Sequence, residues 1–441
     1  MANDWQQLTV ADVAASSRNA LVGGPFGSNL VSNDYVSSGV PVIRGLNMGS
    51  RWVEGEFAFV TEAKAKSLEA NLARPGDLVF TQRGTLGQVA LVPPEPFDQY
   101  LISQSQMKLT VDEKKANSLF LYYVFSSEAQ QNYIRQHAIQ TGVPHTNLGI
   151  LRDTPIQIPP IEEQRAIALV LGVLDNKIEL NWQMNETLEG MARTIFRSWF
   201  VDFDPVHAKA EGRDTNLPKA LAEMFPSTFQ SSNVGDVPNG WHHMPLPDAI
   251  EVNPSRSLQR GEVAPYLDMA NMPTRGHVPA SVIDRPFGSG MRFSNGDTLV
   301  ARITPCLENG KTAYVDFLES QQIGWGSTEY IVLRPKEPLP PEYAYFLARS
   351  DPFREFAIQS MTGSSGRQRV PAEALTHFGV VVPSEQIAAE FGKFAAPLVA
   401  RMSAAAKQSR ILSTLRDSLL PKLISGELRL SNVERIAGRL M

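Results

Sequence analysis

The chain has 441 residues, 43% of them hydrophobic, and a formal net charge of −5 at pH 7. That length and apolar content predict two to four domains with true cores and exclude wholesale disorder. A single cysteine, Cys306, excludes a disulfide framework and any multi-cysteine zinc or iron–sulfur site.

The start, Met1-Ala2-Asn3-Asp4-Trp5, lacks the basic segment and apolar core of a signal peptide. The longest apolar run, 166–174, is far short of the ~20 residues that span a bilayer. A cytoplasmic, reducing location is therefore expected. Next come short runs of Val, Ile, Leu and Thr between turn signals. Val40-Pro41-Val42-Ile43, Leu78-Val79-Phe80-Thr81, Val89-Ala90-Leu91-Val92 and Met107-Lys108-Leu109-Thr110-Val111 predict strands. One amphipathic helix is predicted near 119–136, followed by a loop at Thr141-Gly142 and a strand, Ile156-Gln157-Ile158, ending at Pro159. A stripe then runs at alternating spacings of 4 and 3: Ile167, Leu171, Leu174, Ile178, Asn181, Asn185, Leu188, Ala192, Ile195, Trp199. This is the seam of a long coiled-coil helix, and polar residues inside such a seam cost stability but fix register. Residues 203–240 read as a linker with a short helix near 217–225.

The chain then repeats itself. Gly76-Asp77-Leu78-Val79-Phe80 returns as Gly296-Asp297-Thr298-Leu299-Val300, Thr141-Gly142 as Thr362-Gly363, and Glu163-Gln164 as Glu385-Gln386, at offsets of 220, 221 and 222 residues. Asn3-Asp4-Trp5 returns as Asn239-Gly240-Trp241. Strands are predicted at 298–301, 312–315, 330–333 and 380–382, with one helix near 342–359. Adding 220 to the first stripe gives a second: Ile387, Phe391, Phe394, Leu398, Arg401, Ala405, Gln408, Leu412, Leu415, Leu419. Pro397 should kink that helix or mark where its straight part begins. Two helices with one repeat call for pairing with each other, and antiparallel pairing would place the β-rich domains at opposite ends.

The expected fold is therefore α+β, with pseudo-two-fold internal duplication. A first β-rich domain (1–160), a central helix (161–202), a linker (203–240), a second β-rich domain (241–384) and a C-terminal helix (385–428) follow in order. No domain is basic by composition; only 385–441 carries a surplus of Lys and Arg. A nucleic-acid role would thus need charge gathered on one face.

No catalytic centre stands out. A phosphate-binding Gly-x-x-x-x-Gly-Lys loop, a nucleotide-cofactor glycine fingerprint and an Asn/Asp-Pro-Pro-Tyr/Phe run are all missing. His242-His243 has no further ligand cluster, and Cys306 has no neighbour that would activate it. Glu62-Ala63-Lys64 after Asp34 and Glu113-Lys114-Lys115 after Asp98 match a nuclease pattern loosely, and neither recurs in the second copy.

The pattern resembles the specificity subunit of type I restriction–modification systems. The resemblance rests on the alternation of two β-rich domains with two related helices. Each helix has a Pro-x-x-Glu-Gln type entry, Pro159-Pro160-Ile161-Glu162-Glu163-Gln164 and Pro383-Ser384-Glu385-Gln386. The first helix continues as Leu174-Asp175-Asn176-Lys177-Ile178-Glu179-Leu180-Asn181 and runs out through Ser198-Trp199-Phe200-Val201-Asp202-Phe203-Asp204-Pro205. The second ends in Leu419-Leu420-Pro421-Lys422-Leu423-Ile424-Ser425-Gly426-Glu427-Leu428. The resemblance implies two target recognition domains, one per half of a split asymmetric DNA sequence, on helices that set a distance and dock two methyltransferase subunits. Two motor–nuclease subunits can join that core. S-adenosylmethionine, ATP and Mg²⁺ would bind those partners, leaving this chain without catalysis or cofactor. The competing reading is a duplicated coiled-coil adaptor without DNA specificity.

Base readers belong on loops presented by a rigid sheet, with Arg matched to guanine, Asn or Gln to adenine, and Ser or Thr to either. In the first domain the candidates are Ser28 and Asn29 on the Gly23–Gly27 turn, Arg44 and Asn47, Gln82 and Arg83, Gln104, and His145 and Asn147. In the second they are Asn271 and Arg275, Arg302 and Thr304, Ser327, and Ser364, Arg367, Gln368 and Arg369 on one loop.

Overall fold

The structure is a computed structural model describing residues 4–140, 144–232, 235–364 and 366–429. Thr141, Gly142, Val143 and Ser365 of the candidate loops, and Asn3 of the repeated start, lie outside the described residues. The chain divides into two compact units, 1–177 with 411–441, and 178–410. Each long helix thus contributes one stretch to either unit, rather than standing between domains as the expected boundaries had it.

In the first unit, buried Trp5 leads into Gln6–Thr9, which pairs antiparallel with Pro155–Ile158, the strand that feeds the central helix. An antiparallel sheet follows the order Leu21–Gly23, Gln106–Leu109, Leu78–Thr81, Val89–Leu91. A second sheet follows the order Tyr35–Val36, Ala58–Val60, Val40–Ile43, Tyr100–Ile102, Leu72–Ala73, with Val42 and Leu101 in a parallel pair. Period-2 alternation decides the layering. Leu78 and Phe80 face a core with Phe120 and Phe125 of the helices, whereas Val79 faces one with Ile43, Ala90 and Tyr100 of the second sheet. Strands covered on both faces read as continuous apolar runs, which is why these were legible.

The second unit repeats this plan. Trp241 leads into His242–Pro245, paired with Gly379–Val382. One sheet follows the order Ile250–Val252, Tyr330–Pro335, Thr298–Ala301, Thr312–Tyr314, the other Ile283–Pro286, Val263–Leu267, Gly324–Gly326, Met291–Phe293, again with one parallel pair. Val300 faces the helices while Leu299 and Ala301 face the second sheet, as Phe80 and Val79 do in the first copy.

Each single helix expected after the sheets is two. Ser118–Ser126 and Glu128–Gln136 are separated by Ser127, whose extended backbone and Oγ cap the second helix by accepting from Gln130 N. Glu342–Arg349 and Asp351–Gln359 are separated by extended Ser350, with Pro352 in the first turn of the second helix. The linker is also more structured than expected. It holds helices Asp204–Ala210 and Lys219–Met224 and a hairpin of Phe229–Ser232 with Gly235–Pro238.

The central helix runs Ile161–Phe200 and the C-terminal helix Glu385–Ile424. Within each unit their stretches pair antiparallel. In the first unit Asp175 meets Arg416 at 2.7 Å, and Ile167 and Leu171 share a core with Leu423. In the second unit, buried Asn181 donates from Nδ2 to Gln408 Oε1 at 3.0 Å and Ser409 Oγ at 3.2 Å. There Asn185 Nδ2 donates to the Met402 carbonyl at 3.1 Å, and Phe196 packs on Phe391. The first stripe is buried or half-buried throughout, but the second is misplaced: Arg401, Gln408 and Leu415 are exposed. An offset of 224 rather than 220 recovers the true seam, Phe391, Ala395, Leu398, Met402, Ala405, Ser409, Leu412, Arg416, Leu419 and Leu423. Pro397 does not interrupt the helix. It lies on the exposed side, so the backbone carbonyl it leaves without an N–H partner, that of exposed Lys393, is open to water.

Candidate nucleic-acid interface

In both copies the strand Leu78–Thr81, or its counterpart Thr298–Ala301, opens onto one backbone frame. In the first copy Gln82 N donates to the Ser105 carbonyl at 2.7 Å, and the Gln82 carbonyl accepts from Thr146 N at 3.0 Å. In the second, Arg302 N donates to the Glu329 carbonyl at 3.0 Å, and the Arg302 carbonyl accepts from Val370 N at 2.8 Å. The following loop folds back on itself in each, through bridges of His145 to Arg83 and Ile139, and of Arg369 to Ile303 and Thr362.

This frame gathers most of the second-domain candidates. Arg369 Nε donates to both Glu329 carboxylate oxygens at 2.8 and 2.9 Å, and Arg302 Nε approaches the same carboxylate at 3.4 Å. Ser327 Oγ accepts from Glu329 N at 3.1 Å, and Thr304 N donates to the Gln368 carbonyl at 3.0 Å. Ser364 and Arg367 stand exposed at the tip of the same loop. In the first domain Gln82, Arg83 and His145 come together in the same way, with Arg83 exposed.

Other candidates are occupied in ways that argue against base reading. Asn47 is fully buried: its Oδ1 accepts from Arg44 N, and its Nδ2 donates to the Glu54 and Glu56 carbonyls, each at 3.0 Å. It closes the loop after Val40–Ile43 and has no N–H left for a base. Asn147 caps helix Leu148–Asp153 by accepting from Ile150 N. Asn271 turns back on Asp268 at 2.9 Å. Gln104 spends both amide hydrogens on the Gly27 and Leu30 carbonyls, at 2.6 and 2.9 Å, and so holds the turn that exposes Ser28, Asn29 and Phe26. In the same turn a Cβ at Gly24 would lie 2.0 Å from the Ser103 carbonyl oxygen, so Gly24 serves close backbone packing. Arg44 is half-buried and Arg275 exposed, both on loops that follow strands of the second sheets.

Two features lie outside the candidates drawn from residue type. One is Glu329, two residues after the candidate Ser327. The other is the anchoring of each domain on the long helices. In the second unit Glu189 of the central helix, largely buried, accepts from Gly276 N at 3.0 Å and Tyr345 OH at 2.5 Å, and faces Arg349 Nε at 3.7 Å. Arg349 donates in turn to the Thr274 and Gly276 carbonyls. His277 meets Ser403 of the C-terminal helix at 2.7 Å. The loop bearing Arg275 is thereby fastened to both helices. Burial holds the Tyr345 phenol well above its usual range, opposed by Arg349 and reinforced by Glu189, so it remains a donor. In the first unit Tyr123 OH donates to Asp175 at 2.6 Å, and Arg51 Nη2 donates to Asn176 at 2.6 Å. A signal was present: Asn47-Met48 and Arg51 recur as Asn271-Met272 and Arg275 at an offset of 224.

Among the described residues no group of three His, Cys, Asp or Glu is placed to hold a metal ion, and no helix is long and apolar enough to cross a membrane. The loose nuclease matches are accounted for locally. Asp34 accepts from Val31 N and pairs with Lys64 at 3.0 Å, and Glu113 accepts from Ser118 N and Oγ.

Residues 3–190 match the type I restriction modification DNA specificity domain. The chain is 21% identical to the type I restriction enzyme HindI specificity subunit of Haemophilus influenzae, over 97% of this chain and 100% of that one. It is 22% identical to the MjaIX specificity subunit of Methanocaldococcus jannaschii, over 98% and 95%. Its fold is shared with the crystal structure of a type I restriction–modification S subunit from M. genitalium, at a TM-score of 0.59 and 16% identity, covering 95% of this chain and 96% of that one. Duplicated sheet domains carried on paired long helices thus stand beside a match of residues 3–190 to the type I restriction modification DNA specificity domain, and the chain is similar over nearly its full length to type I restriction enzyme specificity subunits.

Proposed function

We propose that this chain is the non-catalytic, cytoplasmic reading head of a type I restriction–modification complex. Each domain reads one half of a split, asymmetric DNA target. The observation that carries this is the pair of matching frames, each displaying a different set of polar side chains on an otherwise duplicated scaffold. Duplication of backbone with divergence at a presented edge suits a protein that meets two different half-sites. The long helices are the docking surface for two methyltransferase subunits, which two motor–nuclease subunits can join. S-adenosylmethionine serves the former, ATP and Mg²⁺ the latter. In support, Leu180, Trp182 and Met191 of the central helix are exposed, Trp182 at 71%, although large apolar side chains usually seek cover. Trp182→Ala should weaken association with the methyltransferase by roughly 2 kcal/mol, as loss of an aromatic anchor does; unchanged affinity by titration calorimetry would remove this helix face from the interface.

Selection from a random duplex library by the chain assembled with its methyltransferase tests the reading. Enrichment of two short half-sites across a fixed gap is expected. Recovery of an unenriched library would overturn it.

A further inference from the structure

The two frames share their backbone and differ in chemistry. Gln82, Ser105 and His145 occupy in the first copy the places that Arg302, Glu329 and Arg369 occupy in the second, at offsets of 220, 224 and 224. Corresponding backbone bonds join the first two members of each set. One set is built from an amide, a hydroxyl and an imidazole, the other from two guanidinium groups around a carboxylate.

That carboxylate needs an explanation. A surface that meets phosphates loses attraction for each acidic group it carries. Glu329 is only 23% exposed in its side chain, against 30% for Arg302 and 42% for Arg369. It engages both arginines at Nε. An arginine held by Nε keeps its two Nη groups for the fork that spans guanine O6 and N7. Arg369 Nη1 also donates to the Arg367 carbonyl, at a long 3.4 Å. The carboxylate also restrains two long side chains that would otherwise lose rotamer freedom on binding.

We propose that the two triads are the positions that make the halves of the target differ, and that Glu329 is a positioning residue presenting Arg369 and Arg302 to guanine in the second half-site. The inference rests on the DNA-reading role proposed above. The first triad, an amide, a hydroxyl and an imidazole, selects its bases through a different set of donors and acceptors.

The test uses the full chain assembled with its methyltransferase, as wild type, Glu329→Gln and Arg369→Lys. Bound duplexes are selected from a library randomised in both halves, and melting temperatures are recorded alongside. Glu329→Gln should lower the preference for guanine about tenfold at one or two positions of the second half-site. The first half-site should be unchanged, and affinity for unrelated duplex should rise because a carboxylate has been removed. Arg369→Lys keeps the charge but cannot span two acceptors, so it should lose the same preference without that rise. A uniform loss of affinity with base preferences intact in both variants would make Glu329 merely structural and overturn the proposal while leaving the DNA-reading role standing. A wild-type complex that enriches no sequence would overturn both.

Discussion

Arg367 and Arg369 sit two residues apart on one loop, yet the structure gives them different work. Arg369 is held by Glu329, whereas Arg367 is exposed beside Ser364. Replacing both with Ala should weaken half-site binding and lower the slope of log affinity against log salt by up to about 2, the share of two phosphate-range cations. Fluorescence anisotropy across a salt series reads both quantities; an unaltered slope and affinity would take this loop out of the interface. Residue type alone marks this loop as a candidate, because arginines, glycines and a glutamine packed into one loop have few structural uses. It is ambiguous for asparagine. Asn47 and Asn147 satisfy backbone groups nearby, as asparagine does in most turns and helix starts, and sequence cannot separate that use from adenine recognition. Glu329 went unseen because its value lies in the two arginines that the fold brings to it from 27 and 40 residues away.

At the scale of elements, the helix pair was legible because a seam of alternating 4 and 3 persists for more than thirty residues. Its second half was placed one turn out of register because the repeat offset is not constant. The strand at Leu78 repeats at 220, but the helix starts repeat at 224, so residues have been added between them in the second copy. Pro397 in that helix costs a hydrogen bond on an exposed face. Pro397→Ala should raise stability by roughly 1–3 kcal/mol, read as a higher melting temperature; no rise would mean that the helix already accommodates the proline without loss. Glu189→Ala should act in the opposite direction. It leaves Arg349 buried without its carboxylate partner and Gly276 N without an acceptor, a loss of about 3 kcal/mol in denaturant unfolding. A change within experimental error would show that the anchoring of the Arg275 loop does not depend on this carboxylate.

For the whole molecule, the duplication was readable from a few repeated motifs, and the order of strands in the sheets was not. Edge strands such as Ile283–Pro286 are exposed at every position and carry no alternation to find. The short Leu72–Ala73 leaves too little pattern for a strand assignment. Nor could sequence show that the two sheets of each copy meet through Val79 or Leu299, since burial on both faces looks the same from either side. What the structure adds to the proposed role is the equivalence of the two frames, which turns a general reading of DNA specificity into named positions. The most direct measurement is the methylation map of a naive host genome expressing this chain with its methyltransferase, before and after exchange of residues 241–384 for the same segment of a relative. The account predicts a split motif with a fixed gap, of which the exchange alters one half only. A contiguous motif, or an exchange that changes both halves together, would contradict it.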